Sequence, residues 1–310
     1  MGFDKSRHLQ RVIKSHKMRH VQTTMDKYIK KREEIKDALA TYYTDMRATR
    51  AINSGSFAKH SAINEKYDVD ICQPFKYRSF RTLEEMADHV YDFFINVYQD
   101  EQLVRWKTRK QRVSVGLTFL IDGEEIGMDV VPGRELTEED YKETNRLNLY
   151  VRTKGLAPAT STQTNIQRHV DHIQGKGDER RIIRLLKVWK LTKGKKEIKS
   201  FFVELITIRA FESRSSVPFG VWEQLEMVME YIRDRVETIS LLDPANSNNI
   251  VSDTMTAAEK SNFARDMELI LNRIEDDEEN IKIYFPINEK YDDDDKKGNG
   301  AAVLGTKTFS

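Results

Sequence analysis

At 310 residues and 39% hydrophobic content, the chain is long enough for two domains and apolar enough to build real cores. Its 51 basic and 50 acidic side chains nearly cancel, so no global field draws it to nucleic acid or to an anionic membrane, and partners must be sought locally. The single cysteine, Cys72, excludes an internal disulfide and a cysteine-rich zinc site, as suits a reducing cytosol.

The first 32 residues carry ten Lys or Arg against Asp4 and Asp26 and read as a solvated basic arm without the apolar core of a secretory signal. No apolar run reaches membrane-spanning length uncharged, so a soluble, cytoplasmic protein is expected. Residues 24 to 46 read as a long amphipathic helix with Met25, Tyr28, Ile35, Leu39 and Tyr42 on one stripe, capped by Thr23 or Thr24. Gly55-Ser56 opens a short helical segment, and YDVDICQPF reads as a strand. TLEEMADHVYDFFINVY has helical spacing, and RVSVGLTFLI with EEIGMDVVPG forms a hairpin about Asp122-Gly123. The polar stretch from 133 to 161, carrying Gly155 and Pro158, reads as linker and cleft rim. From Thr162 nearly every patterned segment reads as helix, beginning with TQTNIQRHVDHIQ. Residues 275 to 297 hold ten acidic side chains against four Lys and read as a flexible tail. The fold class is therefore α+β: a core unit over 1–161, a helical lobe over 162–285 and a tail over 286–310, with a ligand in the cleft between the lobes. INEKYD occurs at 63 to 68 and again at 287 to 292, but two copies without shared flanks are no structural repeat.

Alternation along a strand puts Asp68 and Asp70 on one face while Val69 and Ile71 point into the core. Two neighbouring carboxylates repel unless a divalent cation lies between them, and Mg²⁺ favours such hard oxygen ligands. Asp129, framed by IGMDVVPG, is the best third ligand, and three carboxylates can hold two Mg²⁺ ions about 3.5–4 Å apart. Gly55 lets backbone approach a phosphate, and Ser56 with the amides of the short helix supplies donors.

Gly55-Ser56, Asp68-Val-Asp70-Ile and Met128-Asp129-Val-Val-Pro132 together resemble the signature of the polymerase-β-like nucleotidyltransferases. RLLKVWK, SFFVELITIRAFE and LLDPANSNNIV resemble the helical domain of the oligoadenylate synthetases and of the cGAS/DncV-like bacterial enzymes, the CD-NTases. The resemblance spans roughly residues 50 to 255. It implies a mixed-sheet core with a long N-terminal spine helix packed on a helical lobe. It further implies template-independent joining of ATP and other nucleoside triphosphates into a cyclic oligonucleotide, as in the bacterial anti-phage systems called CBASS. Asp68, Asp70 and Asp129 would be catalytic and bind Mg²⁺ or Mn²⁺, with Asp129 also helping to deprotonate the acceptor hydroxyl. Gly55 and Ser56 would cradle the triphosphate, Lys187 and Ser200 would hold its β and γ phosphates, and Phe201 would stack on a base where the family often has tyrosine. The resemblance also allows a regulatory partner protein at the C-terminus. The zinc insertion of the animal enzyme has no counterpart here, so a nucleic-acid activator is not expected.

Residue patterns alone leave a linear oligoadenylate or RNA-end product as the alternative. On spacing, Lys187 also fits an ordinary helix-surface lysine and Phe201 a core residue. Glu204 reads as a buried polar contact, His169 and His172 as structural, and Cys72 as a buried thiol.

Overall fold

The structure is a computed structural model describing residues 2–153 and 158–292; Gly155 and the tail from residue 293 onward lie outside the described residues. Seven segments build one mixed sheet: β1 Ile52–Ser54, β2 Asp70–Phe75, β3 Arg109–Lys110, β4 Val115–Ile121, β5 Glu124–Glu135, β6 Leu147–Val151 and β7 Thr160–Thr164. They run in the order β1-β2-β5-β4-β3, while β6 takes the far end of β5 and β7 pairs with β6. Only β2 and β5 pair in parallel. The β4–β5 hairpin forms as its sequence demands, because Asp122 (φ 52°) and Gly123 (φ 79°) accept the left-handed backbone of a tight turn.

Three stretches depart from the sequence reading, the first being Glu138–Thr144, a helix within the expected linker. Leu147–Val151, expected as linker, alternates buried and half-buried side chains as β6, and Thr162–Thr164, expected to begin a helix, belongs to β7. Each strand is formed by pairing with the other, a long-range contact that local patterning does not report. Within the helical lobe the LLDPANSNNIV segment holds a short antiparallel ribbon.

Helices cover the sheet and build a second body. α1 spans Lys5–Ser15 and α2 spans Gln22–Tyr42. The Thr cap expected for α2 is absent: Val21 holds the cap position with no side-chain bond. Met25, Ile35 and Leu39 are buried as expected, but Tyr42 is 46% exposed. The next residue takes its place, for Tyr43 lies four after Leu39 and its ring meets Phe75 and Phe93. α3 Gly55–Ala58, α4 Leu83–Asp92 and α5 Glu138–Thr144 complete the sheet region, whose core joins Ile35, Leu39, Ile71, Phe119 and Val130.

α6 Ile166–Asp171, α7 Gly177–Thr192, α8 Ser200–Glu212, α9 Val221–Arg235 and α10 Ala257–Asp276 follow. Their core includes Trp189 stacked on Phe263 at 5.6 Å. Leu9 and Val12 of α1 join this second core, although α1 lies at the opposite end of the chain. Among the described residues no helix is long and apolar enough to cross a membrane.

The two INEKYD copies meet in space. Asn64 Nδ2 donates to Ser15 O at 2.9 Å, and Asn288 N donates to Ser15 Oγ at 3.0 Å. Asn288 Nδ2 also donates to Glu65 Oε1 at 2.7 Å, Tyr291 stacks on His20, and the buried Asp292 pairs with Arg11. Residues 287–292 are thus laid along the end of α1.

Candidate active site

Gly55 is the pivot from which the site is built. Its φ of +83° is left-handed, and a Cβ there would stand 2.6 Å from Asp68 O and 2.9 Å from Asp70 Oδ2, so the turn demands glycine twice over. Ser56 Oγ then accepts from Asp68 N at 3.0 Å, and Phe57 N donates to Asp68 O at 3.2 Å. The Gly-Ser turn and the first aspartate are therefore one unit, and the Ser56 hydroxyl proton remains available for a further acceptor. One amide of the four-residue α3 is already engaged by Asp68, so that helix offers a ligand less than the sequence implied.

Asp68 itself lies just before β2 and is exposed, rather than within the strand as expected, while Val69 and Ile71 are buried as the alternation requires. Parallel pairing sets Ile71 beside Val130 and brings Asp129 to Asp70, whose Oδ1 accepts from Asp129 N at 3.3 Å. The side chain of Asp129 accepts from Gln111 Nε2 at 2.9 Å and from Ser114 Oγ at 3.3 Å. Burial, followed by the charges of Asp68 and Asp129, pushes the Asp70 carboxyl up to about 7, and burial also raises Asp129. The repulsion within the group thus falls mainly on Asp70, while Gln111 and Ser114 offset part of the burial of Asp129. As placed, no group of three or more His, Cys, Asp or Glu side chains among the described residues closes around a metal position. In donor chemistry, three hard carboxylates on adjoining segments suit a divalent cation.

Across the cleft a pocket joins Ser56, Lys66 and Asp68 on one wall to Lys187, Lys190, Lys195, Lys196 and Ser200 on the other. Ser200 begins α8 and accepts from Lys190 Nζ at 3.4 Å. Burial, then the charges of Lys66, Lys187 and Lys199, push the Lys190 ammonium down to about 8. Lys187 lines the same pocket, but its ammonium is held: Nζ donates to Glu204 Oε1 at 2.9 Å and to Ser61 O and Oγ at 3.0 and 2.9 Å. Lys59 adds a second ammonium to Glu204 at 2.6 Å. Burial alone would raise Glu204, yet Lys59 and Lys187 hold it down at about 2. Burial pushes the Lys187 ammonium down while Glu204 holds it up, and Glu204 is the buried polar contact its sequence context indicated.

Phe201 is half-buried, with His169 edge-on at 5.0 Å and the Lys59 ammonium 5.1 Å from its ring centre. His169 Nε2 lies 2.6 Å from Asp243 Oδ1, and Cys72 is fully buried with its thiol pushed up to about 12 by burial. The structural readings of both hold. Sequence reasoning overlooked Lys190, Lys66 and Gln111. Lys190 stands three residues beyond Lys187, near one helical turn, and that spacing could have revealed it.

No protein-family model and no curated protein matches the sequence. Solved structures do match its fold. CdnG of Bradyrhizobium diazoefficiens, described as a CD-NTase in complex with GTP, aligns with a TM-score of 0.69 at 12% identity, over 96% of this chain and 99% of that one. CdnC of E. coli MS115-1 with ATP aligns at 0.66 and 20% identity, over 87% and 91%. DncV of Vibrio cholerae, described as a cyclic AMP-GMP synthase and prokaryotic cGAS homolog, aligns at 0.56 and 11% identity, over 76% and 68%. At such identities the likeness establishes architecture, and the chain has the fold of a cGAS/DncV-like nucleotidyltransferase, or CD-NTase.

Proposed function

We propose that the protein is a template-independent, Mg²⁺-dependent nucleotidyltransferase that joins ATP, with other nucleoside triphosphates, into a cyclic oligonucleotide messenger of anti-phage signalling. One observation carries the reading: a single pocket has Asp68 on one wall, next to Asp70 whose carboxyl is pushed up to about 7, and the Lys190 ammonium, pushed down to about 8, on the other. A polyphosphate accompanied by divalent cations neutralises both ends at once, whereas either partner alone leaves one end repelling.

In this reading Ser56 donates its free hydroxyl proton to the triphosphate, while Lys66 from the same lobe and Lys190 and Ser200 from the other hold its outer phosphates. Lys187 contributes charge from within its network, and Phe201 offers a π-face to a base, without the hydroxyl that a tyrosine would add. Asp68, Asp70 and Asp129 would hold the cations, which when bound supply charge neutralisation to the attacking and leaving oxygens. An acceptor ribose hydroxyl forms the new O–P bond at the α-phosphorus, the α–β bridging bond breaks, and pyrophosphate departs toward the lysines. The hydroxyl proton passes to Asp129 Oδ2, whose only hydrogen bond among the described residues is the longer one from Ser114.

Pure protein incubated with the four nucleoside triphosphates and Mg²⁺, then treated with phosphatase and analysed by mass spectrometry, tests this. A phosphatase-resistant product with the mass of a cyclic di- or trinucleotide is expected. Products that lose terminal phosphates would transfer the reading to linear oligonucleotide synthesis, and absence of any product would end it.

A further inference from the structure

We propose that Gln111 is a positioning residue that aims the Asp129 carboxylate, and that Gly116 exists to let it do so. The inference rests on the transfer reading above and adds to it a pair of residues with no contact to substrate. Of the three aspartates, Asp129 alone has both carboxylate oxygens engaged by side chains: Gln111 Nε2 donates to Oδ1 at 2.9 Å, and Ser114 Oγ to Oδ2 at 3.3 Å. The Ser114 hydroxyl also lies 3.1 Å from Gln111 Oε1, so its one proton is divided between two acceptors. The amide is therefore the firmer hold. Each Asp129 oxygen keeps a lone pair for another partner, which is what an orienting bond, rather than a blocking one, requires.

The glutamine is itself fixed. It opens the turn between β3 and β4, where Gln111 N donates to Ser114 O at 2.8 Å. Arg152 braces the same turn, its Nη1 donating to Gln111 O at 3.3 Å and its backbone amide to Arg112 O at 2.7 Å. From that position the side chain lies back across β4 to reach β5. It passes over Gly116, the direct strand partner of Asp129. A Cβ on residue 116 would stand 2.3 Å from Gln111 Nε2 and 3.1 Å from its Cδ, so any other residue evicts the amide from its seat. Gly116 has no left-handed φ to account for it, which leaves the close approach of Gln111 as the reason this strand interior forgoes a side chain. A carboxylate left to rotate must be ordered at each binding event, and partners that orient metal-binding carboxylates set affinity in this way.

The test compares wild type with Gln111→Ala and Gly116→Ala, the second displacing the amide while leaving the glutamine in the chain. Free Mn²⁺ is measured by electron paramagnetic resonance during titration of protein held with ATP in which the α–β bridge is non-hydrolysable. Both variants are expected to bind Mn²⁺ about 10- to 100-fold more weakly. Their melting temperatures without metal should stay near wild type, and turnover at saturating Mg²⁺ should recover toward wild type, because weakened affinity is overcome by mass action. Mn²⁺ binding equal to or tighter than wild type in either variant overturns the proposal. If wild type binds Mn²⁺ and makes product while the variants match it, this proposal alone fails. If wild type neither binds Mn²⁺ with nucleotide nor transfers, the transfer reading fails and takes this one with it. Should Gln111→Ala not fold, Gly116→Ala carries the test by itself.

Discussion

Two carboxylates on facing lobes, Asp70 half-buried and Glu204 buried, have been driven in opposite directions. Asp70 is pushed up to about 7, and Glu204 is held at about 2. Burial raises both, so the difference lies in their neighbours: Asp70 faces two further aspartates, whereas Glu204 is clasped by Lys59 and Lys187. Glu204 is complete as the chain folds and ties Ser61 and Lys59 of one lobe to α8 of the other. Asp70 has no such ammonium clasping it among the described residues. The same contrast separates two lysines near one helical turn apart, Lys187 with its counter-ion and Lys190 crowded by like charge. Uncompensated charge that the fold tolerates points to a ligand site, and compensated charge to scaffold.

The comparison breaks most decisively at Asp70. Asp70→Asn should abolish nucleotide transfer while the metal-free protein melts at the same temperature or higher at pH 8; retained turnover would remove Asp70 from the chemistry. Glu204→Gln should do the reverse, costing about 3–5 kcal/mol of unfolding free energy because two buried ammonium groups lose their partner, as read from chemical denaturation. Stability near wild type would show that the network is dispensable.

Next in size, Lys190→Gln should raise the KM for ATP about tenfold, the loss of roughly 1.4 kcal/mol from a charge-assisted contact, with no loss of melting temperature since like-charge crowding is relieved. An unchanged KM returns Lys190 to the scaffold. A smaller effect is the pH response of metal-free protein. Between the ordinary aspartate range and about 7 the native state keeps the Asp70 proton that the unfolded chain has released, so this carboxyl's contribution to stability falls as pH rises. Calorimetry from pH 5 to 8 should show that decline in wild type and lose it in Asp70→Asn. Smallest of all, a thiol reagent should leave native protein unlabelled at neutral pH, because Cys72 is buried with its thiol near 12.

What the sequence revealed was whatever local chemistry determines. The Asp122-Gly123 turn, the Val69 and Ile71 alternation and the Gly55-Ser56 turn are each dictated within a few residues, and each formed as read. The polymerase-β-like core packed on a helical lobe follows the resemblance carried by those same segments. Hidden features depend on distant partners. β6 lay within the expected linker and the end of β7 in an expected helix, and both are held by strand pairing, β6 with β5 and β7. The Lys59–Glu204–Lys187 cluster joins residues up to 145 apart, and nothing near Lys187 declares that its charge is engaged. Gly116 looks like a weak point in a strand until Gln111 is seen lying across it. Tyr43 displaced Tyr42 because the helix ended sooner than its polar flank suggested, leaving the inward position to the residue that caps it.

The meeting of the two INEKYD segments gives the end of α1 an unforeseen office. One hydroxyl and one carbonyl, both of Ser15, moor the asparagine of the pocket loop and the asparagine near the last described residue. Lys66 and Asp68, which line the cleft pocket, follow directly behind the first of these. A load placed on the chain at Asp292 therefore reaches the pocket wall by two short routes, through Ser15 and through the Asn288–Glu65 bond, and a stretch remote in sequence is mechanically among its nearest.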